Sequence, residues 1–133
     1  MKVYTRKQVM YSIDIGSSNN DFHAASRFMR HVAKQVSYVT GGCTLVNSLG
    51  YWADVERADR EDYSDVAIGT ENNVQLQVKA EVEKEEKLER TIVESVVEAA
   101  DMYPELEINW VCGHKVLADG TTVAFNFSVE ENL

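Results

Sequence analysis

The sequence predicts an α+β domain in which an antiparallel sheet carries two helices on one face. Three observations predict it. Residues 22–38 and 83–103 each repeat apolar side chains at helical spacing, with one apolar stripe apiece. Several other segments alternate apolar and polar residues with period two, as half-buried strands do. The order along the chain is strand, helix, strand, strand, helix, strand, strand. The 133 residues are 44% hydrophobic and 26% charged, with seven glycines and one proline. That fits one α+β domain over residues 1–133 and excludes a disordered, collagen-like or low-complexity chain.

Residues 3–15 read as the first strand. Val3, Val9, Tyr11, Ile13 and Ile15 share one face, with Arg6, Gln8, Ser12 and Asp14 on the other. Thr5 and Lys7 interrupt the apolar face, so its start is expected to be exposed. Gly16 to Asp21 combines turn residues with helix-capping residues. The first helix runs from about Phe22 to Tyr38 and buries Phe22, Ala25, Met29, Val32 and Val36. Thr40-Gly41-Gly42 stops it, glycine supplying the positive φ of a helix end. A second strand opens at Cys43–Val46 and continues through residues 51–55, with a bend or bulge at Gly50. Residues 54–73 are mostly acidic, and they read as a long hairpin with an acidic tip and a turn near Asn72-Asn73.

Val74, Leu76, Val78, Ala80 and Val82 alternate with polar residues in the cleanest strand pattern of the chain. The second helix spans about Glu83 to Tyr103. Leu88, Ile92, Val96, Ala99 and Tyr103 form its inner stripe, widened by Val93, Val97 and Ala100. Its early glutamates suit the positive end of the helix dipole, and Pro104 ends it. Ile108, Trp110 and Cys112 alternate as the inward face of another strand, which puts Trp110 in the core. Asp119-Gly120 is a hairpin signal. Val123, Phe125, Phe127 and Val129 alternate on the return strand. This order is that of the ferredoxin-like split β-α-β arrangement, β-α-β-β-α-β plus an extra C-terminal strand. The sheet face away from the helices is expected to carry Gln75, Gln77, Lys79, Asn109, Val111, Asn126 and Ser128, either wet or against a second copy.

No apolar run reaches the roughly 18 residues of a membrane span, and no apolar core follows the charged start, so the expected location is cytoplasmic. Cys43 and Cys112 have no second cysteine at metal-ligand spacing and read as two buried thiols.

Charge is uneven. The formal net charge is −9. Residues 1–40 hold six basic residues against two acidic, +4, and residues 41–133 hold seven against twenty, −13. The overall sign argues against direct binding to nucleic acid. The local excess favours a confined anion site.

The ligand-binding candidates follow from that excess. Ser17, Ser18, Asn19 and Asn20 lie where free N–H groups at a helix start attract anions, although the spacing fits neither a P-loop nor a dinucleotide fingerprint. His23, Arg27, Arg30, His31 and Lys34 share the outer face of the first helix, where arginine forks suit phosphate or carboxylate. The bland alternative is pairing with the acidic hairpin. The partner-binding candidates are Tyr51, Trp52, Glu56, Asp59, Asp62 and Tyr63, aromatic and acidic residues of the hairpin. His23, His31 and His114 are the available general bases, with Asp14 at a strand end, but no catalytic set is identified. His23 and His31 stand about two helical turns apart, too far to share one ion, and no metal or cofactor is expected.

The expected function is a non-catalytic binding module. It holds an anionic small molecule, a nucleotide or metabolite, or an acidic partner surface, through the basic helix face, and it forms a homo-oligomer. One alternative is a small acidic inhibitor of the viral kind that mimics nucleic acid in a basic cleft. A second is a small hydrolase or isomerase acting at the strand-helix loop.

Overall fold

The computed structural model describes residues 1–3, 5–16, 22–53 and 68–133. β1 (Gln8–Gly16) leads to α1 (Phe22–Thr40), β2 (Thr44–Ala53) and β3 (Ile68–Glu81). A short 3-10 turn then enters α2 (Glu85–Met102). β4 (Trp110–Val116), β5 (Thr122–Ala124) and β6 (Phe127–Ser128) follow. The strands lie in the order β2-β3-β1-β4-β5, all pairs antiparallel, with β6 also on β4. This is the ferredoxin-like arrangement with an added C-terminal edge. Among the described residues, no helix is long and apolar enough to cross a membrane.

The core lies between the sheet and both helices. Val9, Tyr11, Ile13 and Ile15 of β1 and Val74, Leu76, Val78 and Ala80 of β3 point into it. Phe28, Met29, Val32 and Val36 cover them from α1, and Leu88, Ile92, Val96 and Ala99 from α2. The strand faces are those the period-two pattern predicts. β1 starts at Gln8, however, and Val3 is exposed outside the sheet. Gly41 has φ 89° and its N–H bonds to the carbonyl of Ser37, so it ends α1 where the Gly-Gly pair predicts. Gly120 also has φ 89°, in the predicted turn.

Several further expectations fail. Gly50 makes no bulge, because the β2–β3 register runs through it one-to-one from Thr44 to Ala53. Asn72 and Asn73 are not a turn. They pair with Leu49 and Ser48 inside the β2–β3 ladder, because the ribbon continues past the end of β1 to Ile68. Trp110 is 56% exposed and Val111 is fully buried, the reverse of the expected phase. The chain makes a 3-10 turn at Pro104–Leu106, and Glu107 is left-handed at φ 53°, so Ile108 belongs to the connection. β4 takes its phase from β1, with Ile13 opposite Gly113. Finally, the thiols are not both buried: Cys43 is half-buried, Cys112 is exposed, and both are free.

The return strand is interrupted between β5 and β6. Phe125 donates its N–H to the Gly113 carbonyl at 2.9 Å. The reciprocal bond goes from the Gly113 N–H to the Asn126 side-chain oxygen, at 3.1 Å. A side chain thus replaces a ladder carbonyl between β5 and β6.

Lys115 ties β4 to the start of α2. Its ammonium lies 2.9 Å from Glu85 and 3.0 Å from Glu89, and 5.8 Å from the Tyr11 ring centre. Burial acts to lower the Lys115 pKa, but the hydrogen bonds to Glu85 and Glu89 outweigh it and raise the value. Burial, joined by the charges of Glu89 and Glu85, pushes the Tyr11 phenol well above its ordinary range. Both groups keep their protons more tightly folded than unfolded. Their contribution is therefore complete below about pH 10 and is lost as pH rises past it. Urea midpoints are expected to hold level up to about that pH and then to fall. The fall should be shallower in Tyr11→Phe. A Tyr11→Phe profile that overlays the parent would refute the assignment.

Candidate functional site

The basic face of α1 is the starting point. His23, Arg27, Arg30 and Lys34 are exposed there, and His31 is half-buried. Ser17, Ser18, Asn19 and Asn20 lie outside the described residues, as do Glu56, Asp59, Asp62, Tyr63 and the side chain of Trp52. Tyr51 is exposed on the edge strand β2, beside exposed Leu49.

Not all of these side chains are available to a guest. His31 Nε2 lies 2.9 Å from Glu98 of α2, across the helix pair. Arg27 sits with its guanidinium carbon 5.9 Å from the ring centre of Tyr103, at the C-terminal end of α2. Arg30 and Lys34 differ. Among the described residues, neither has a carboxylate within 4.0 Å. Among the described residues, intramolecular pairing reaches His31 of this face, through Glu98 of α2. The acidic tip of the expected hairpin lies outside the described residues.

Arg30 and Lys34 form a ridge between two depressions. One, of ≈ 230 Å³, lies toward α2 and is lined by Arg27, His31, Met102 and Tyr103 as well as the ridge. The other is a groove of ≈ 630 Å³ between α1 and β2, lined by Arg30, Ala33, Lys34, Ser37, Tyr38, Cys43 and Leu45. That volume lies within the roughly 300–1,000 Å³ range of small-molecule sites. Its lining joins two cations, an exposed tyrosine ring and an apolar floor. Ser37 donates its hydroxyl to the Ala33 carbonyl at 2.7 Å and lies 3.5 Å from the Cys43 sulfur, which fixes the groove wall.

The open face of the sheet is the second surface. The pairing register places Met10, Ser12 and Asp14 of β1 there with Gln75, Gln77 and Lys79 of β3, and with Trp110, Cys112 and His114 of β4. The expected Gln75, Gln77 and Lys79 are in place, and Val111 is not. Gln75 Nε2 lies 3.1 Å and 3.3 Å from the two Asp14 oxygens, and Gln77 Nε2 lies 2.6 Å from Gln75 Oε1. A cavity of ≈ 390 Å³ opens on this face, and Cys43 lines both it and the α1–β2 groove. His114 and Asp14 are brought to one face, opposite Ser12 and Cys112, while His23 and His31 stand on α1. Among the described residues, no cluster of His, Cys, Asp or Glu has the arrangement to hold a metal ion. Sequence reasoning missed Tyr38, Gln77, Thr44 and the role of Cys43 as a shared wall. Only the Gly-Gly break before Cys43 marked the place.

No family model matches this chain, and no curated protein is similar to it in sequence. Among solved structures, the chain is similar to a phage SAM lyase in complex with S-methyl-5'-thioadenosine. The TM-score is 0.60 at 13% identity, over 96% of this chain and 95% of that one. The apo state of a phage SAM lyase gives 0.57 at 10% identity, over 96% and 95%. A more distant likeness, 0.39 at 10% identity over 94% and 86%, is to a GlnK–ATP complex from B. subtilis. These likenesses are of fold.

Proposed function

We propose that this chain is an enzyme of the lyase type that acts on S-adenosylmethionine and releases S-methyl-5'-thioadenosine. The observation that carries the reading is the likeness, nearly end to end in both chains, to a phage SAM lyase in complex with that nucleoside. The ridge and groove suit it. Arg30 and Lys34 meet the carboxylate of the substrate, and the apolar wall of Ala33 and Leu45 takes the carbon chain.

The charge change gives the groove a chemical role. The lyase step breaks the bond between sulfur and the methionyl γ-carbon, and the electron pair passes to sulfur. A sulfonium cation becomes a neutral thioether. The carbon regains its bond from the substrate's own carboxylate oxygen, closing a lactone, or from a double bond formed as a neighbouring proton leaves to a base. Neither route consumes water or an oxidant. In the double-bond route the carboxylate keeps its charge on Arg30 and Lys34 while the nearby sulfonium loses its own, so cation–cation repulsion is relieved as the bond breaks. In the lactone route the carboxylate charge is consumed as well, which offsets that gain.

The competing reading is a binding module that holds an anionic metabolite on the same ridge without turnover. Two measurements separate them. Incubation with S-adenosylmethionine is expected to release S-methyl-5'-thioadenosine, read by chromatography. S-methyl-5'-thioadenosine is expected to slow alkylation of Cys43 at the groove wall, with exposed Cys112 as the internal reference. Protection without turnover would keep binding of the nucleoside and remove the lyase. Neither turnover nor protection would overturn the lyase reading and leave the binding module, whose ligand carries the negative charge this nucleoside lacks.

A further inference from the structure

The open-face cavity has a directional hydrogen-bonding edge. The Asp14 carboxylate only accepts hydrogen bonds, so Gln75 must turn its NH₂ toward it, as the 3.1 Å and 3.3 Å contacts require. The Gln75 oxygen then faces Gln77, which must in turn donate its NH₂ across the 2.6 Å contact. The orientation of both amides, which heavy-atom positions alone leave ambiguous, is thus settled by the acid at the end of the chain. Among the described residues, the Gln77 amide oxygen is the end left over. Each donated bond leaves the next carbonyl more negative, so this oxygen is a stronger acceptor than an isolated amide.

Gln77 lines the ≈ 390 Å³ cavity together with Met10, Gly42, Cys43, Thr44 and Lys79. Thr44 is the direct cross-strand neighbour of Gln77. Its hydroxyl is a rotatable donor on the same face of the sheet as the Gln77 amide. A Cβ at Gly42 would meet nothing within 4 Å, so the loop leaves space on that side. An acceptor beside a donor matches the edge of adenine, whose exocyclic amine donates next to a ring nitrogen that accepts. A 6-oxopurine presents a carbonyl to the Gln77 oxygen and is repelled.

We propose that this cavity reads the amino edge of a 6-aminopurine, Gln77 accepting from the exocyclic amine and Thr44 donating to the adjacent ring nitrogen. The inference rests on the adenosyl reading above and deepens it. The purine end occupies the open face and the charged end the α1–β2 groove, with Cys43 as the wall between them.

The test compares S-methyl-5'-thioadenosine with its 6-oxo counterpart by calorimetry. The parent protein is expected to prefer the amino form by about 30-fold, because a site built around a hydrogen bond penalises the analogue that leaves it unmade. Gln77→Met should reduce the preference to about threefold or less. Thr44→Val should weaken the amino form roughly fivefold and keep most of the preference. Circular dichroism checks that both variants fold. Equal affinity of the two purines, or a preference that survives Gln77→Met, overturns the proposal. Preference without turnover of S-adenosylmethionine keeps the purine edge and removes the lyase. Turnover without preference does the opposite, and no binding of either nucleoside removes both.

Discussion

Gly113→Ala is expected to destabilise the protein by about 3 kcal/mol, the upper part of the range for overpacking a well-filled site. A Cβ at this position would lie 2.4 Å from the Ser12 carbonyl oxygen and 3.2 Å from the Ile13 Cα. Both atoms are backbone, so no rotamer change relieves the clash and β4 must move away from β1. Gly113 also sits where the Asn126 side chain replaces a ladder carbonyl, so the displaced strand loses that bond as well. A thermal midpoint about 10 °C lower is expected, by the ordinary scaling for a chain of this size. Gly42→Ala is the control. Its new Cβ meets nothing within 4 Å, and its cost should stay within about 0.5 kcal/mol. A Gly113→Ala protein as stable as the Gly42→Ala protein would show that β4 tolerates displacement.

The double variant Arg30→Ala, Lys34→Ala is expected to weaken binding of S-adenosylmethionine by at least about 100-fold. On the lyase reading two charge-assisted contacts to the carboxylate end are removed, and each is ordinarily worth about 1.5–3 kcal/mol. Stability should change little, because both side chains are exposed and neither has a carboxylate partner among the described residues. His31→Ala is the contrast. It breaks the pair with Glu98 but spares the ridge, so it should leave binding within about threefold. Equal binding by the parent and the double variant would move the anionic end of the ligand off α1. A large drop in thermal midpoint would make the ridge structural.

Part of this site was legible in the residues alone. The three exposed cations of α1, Arg27, Arg30 and Lys34, stand out because residues 1–40 run against the charge of the whole chain. Their spacing, with His31, places them on one helical face. What separates Arg30 and Lys34 from His31 is not legible there. The carboxylate on His31 comes from Glu98, 67 residues away, and nothing local in either helix marks the pair. The open-face edge is hidden in the same way. Asp14 and Gln75 are 61 residues apart, and only the β1–β3 register makes them neighbours. Trp110 illustrates the opposite failure, a local pattern trusted too far. The alternation of Ile108, Trp110 and Cys112 is real in the sequence, but the first of them precedes the strand.

The sequence by itself determined the number and order of the long elements, the stripes of α1 and α2, the faces of β1 and β3, and the glycine stop at Gly41. Those features depend on residues within a turn or a pleat of one another, where period and φ preference act directly. The tertiary structure alone decided the phase of β4, the pairing of His31 with Glu98 where, among the described residues, Arg30 and Lys34 meet no carboxylate, and the two cavities that meet at Cys43. Each depends on which distant strand or helix supplies the neighbour. That choice follows from packing and register across the whole sheet, and no short stretch of chain encodes it.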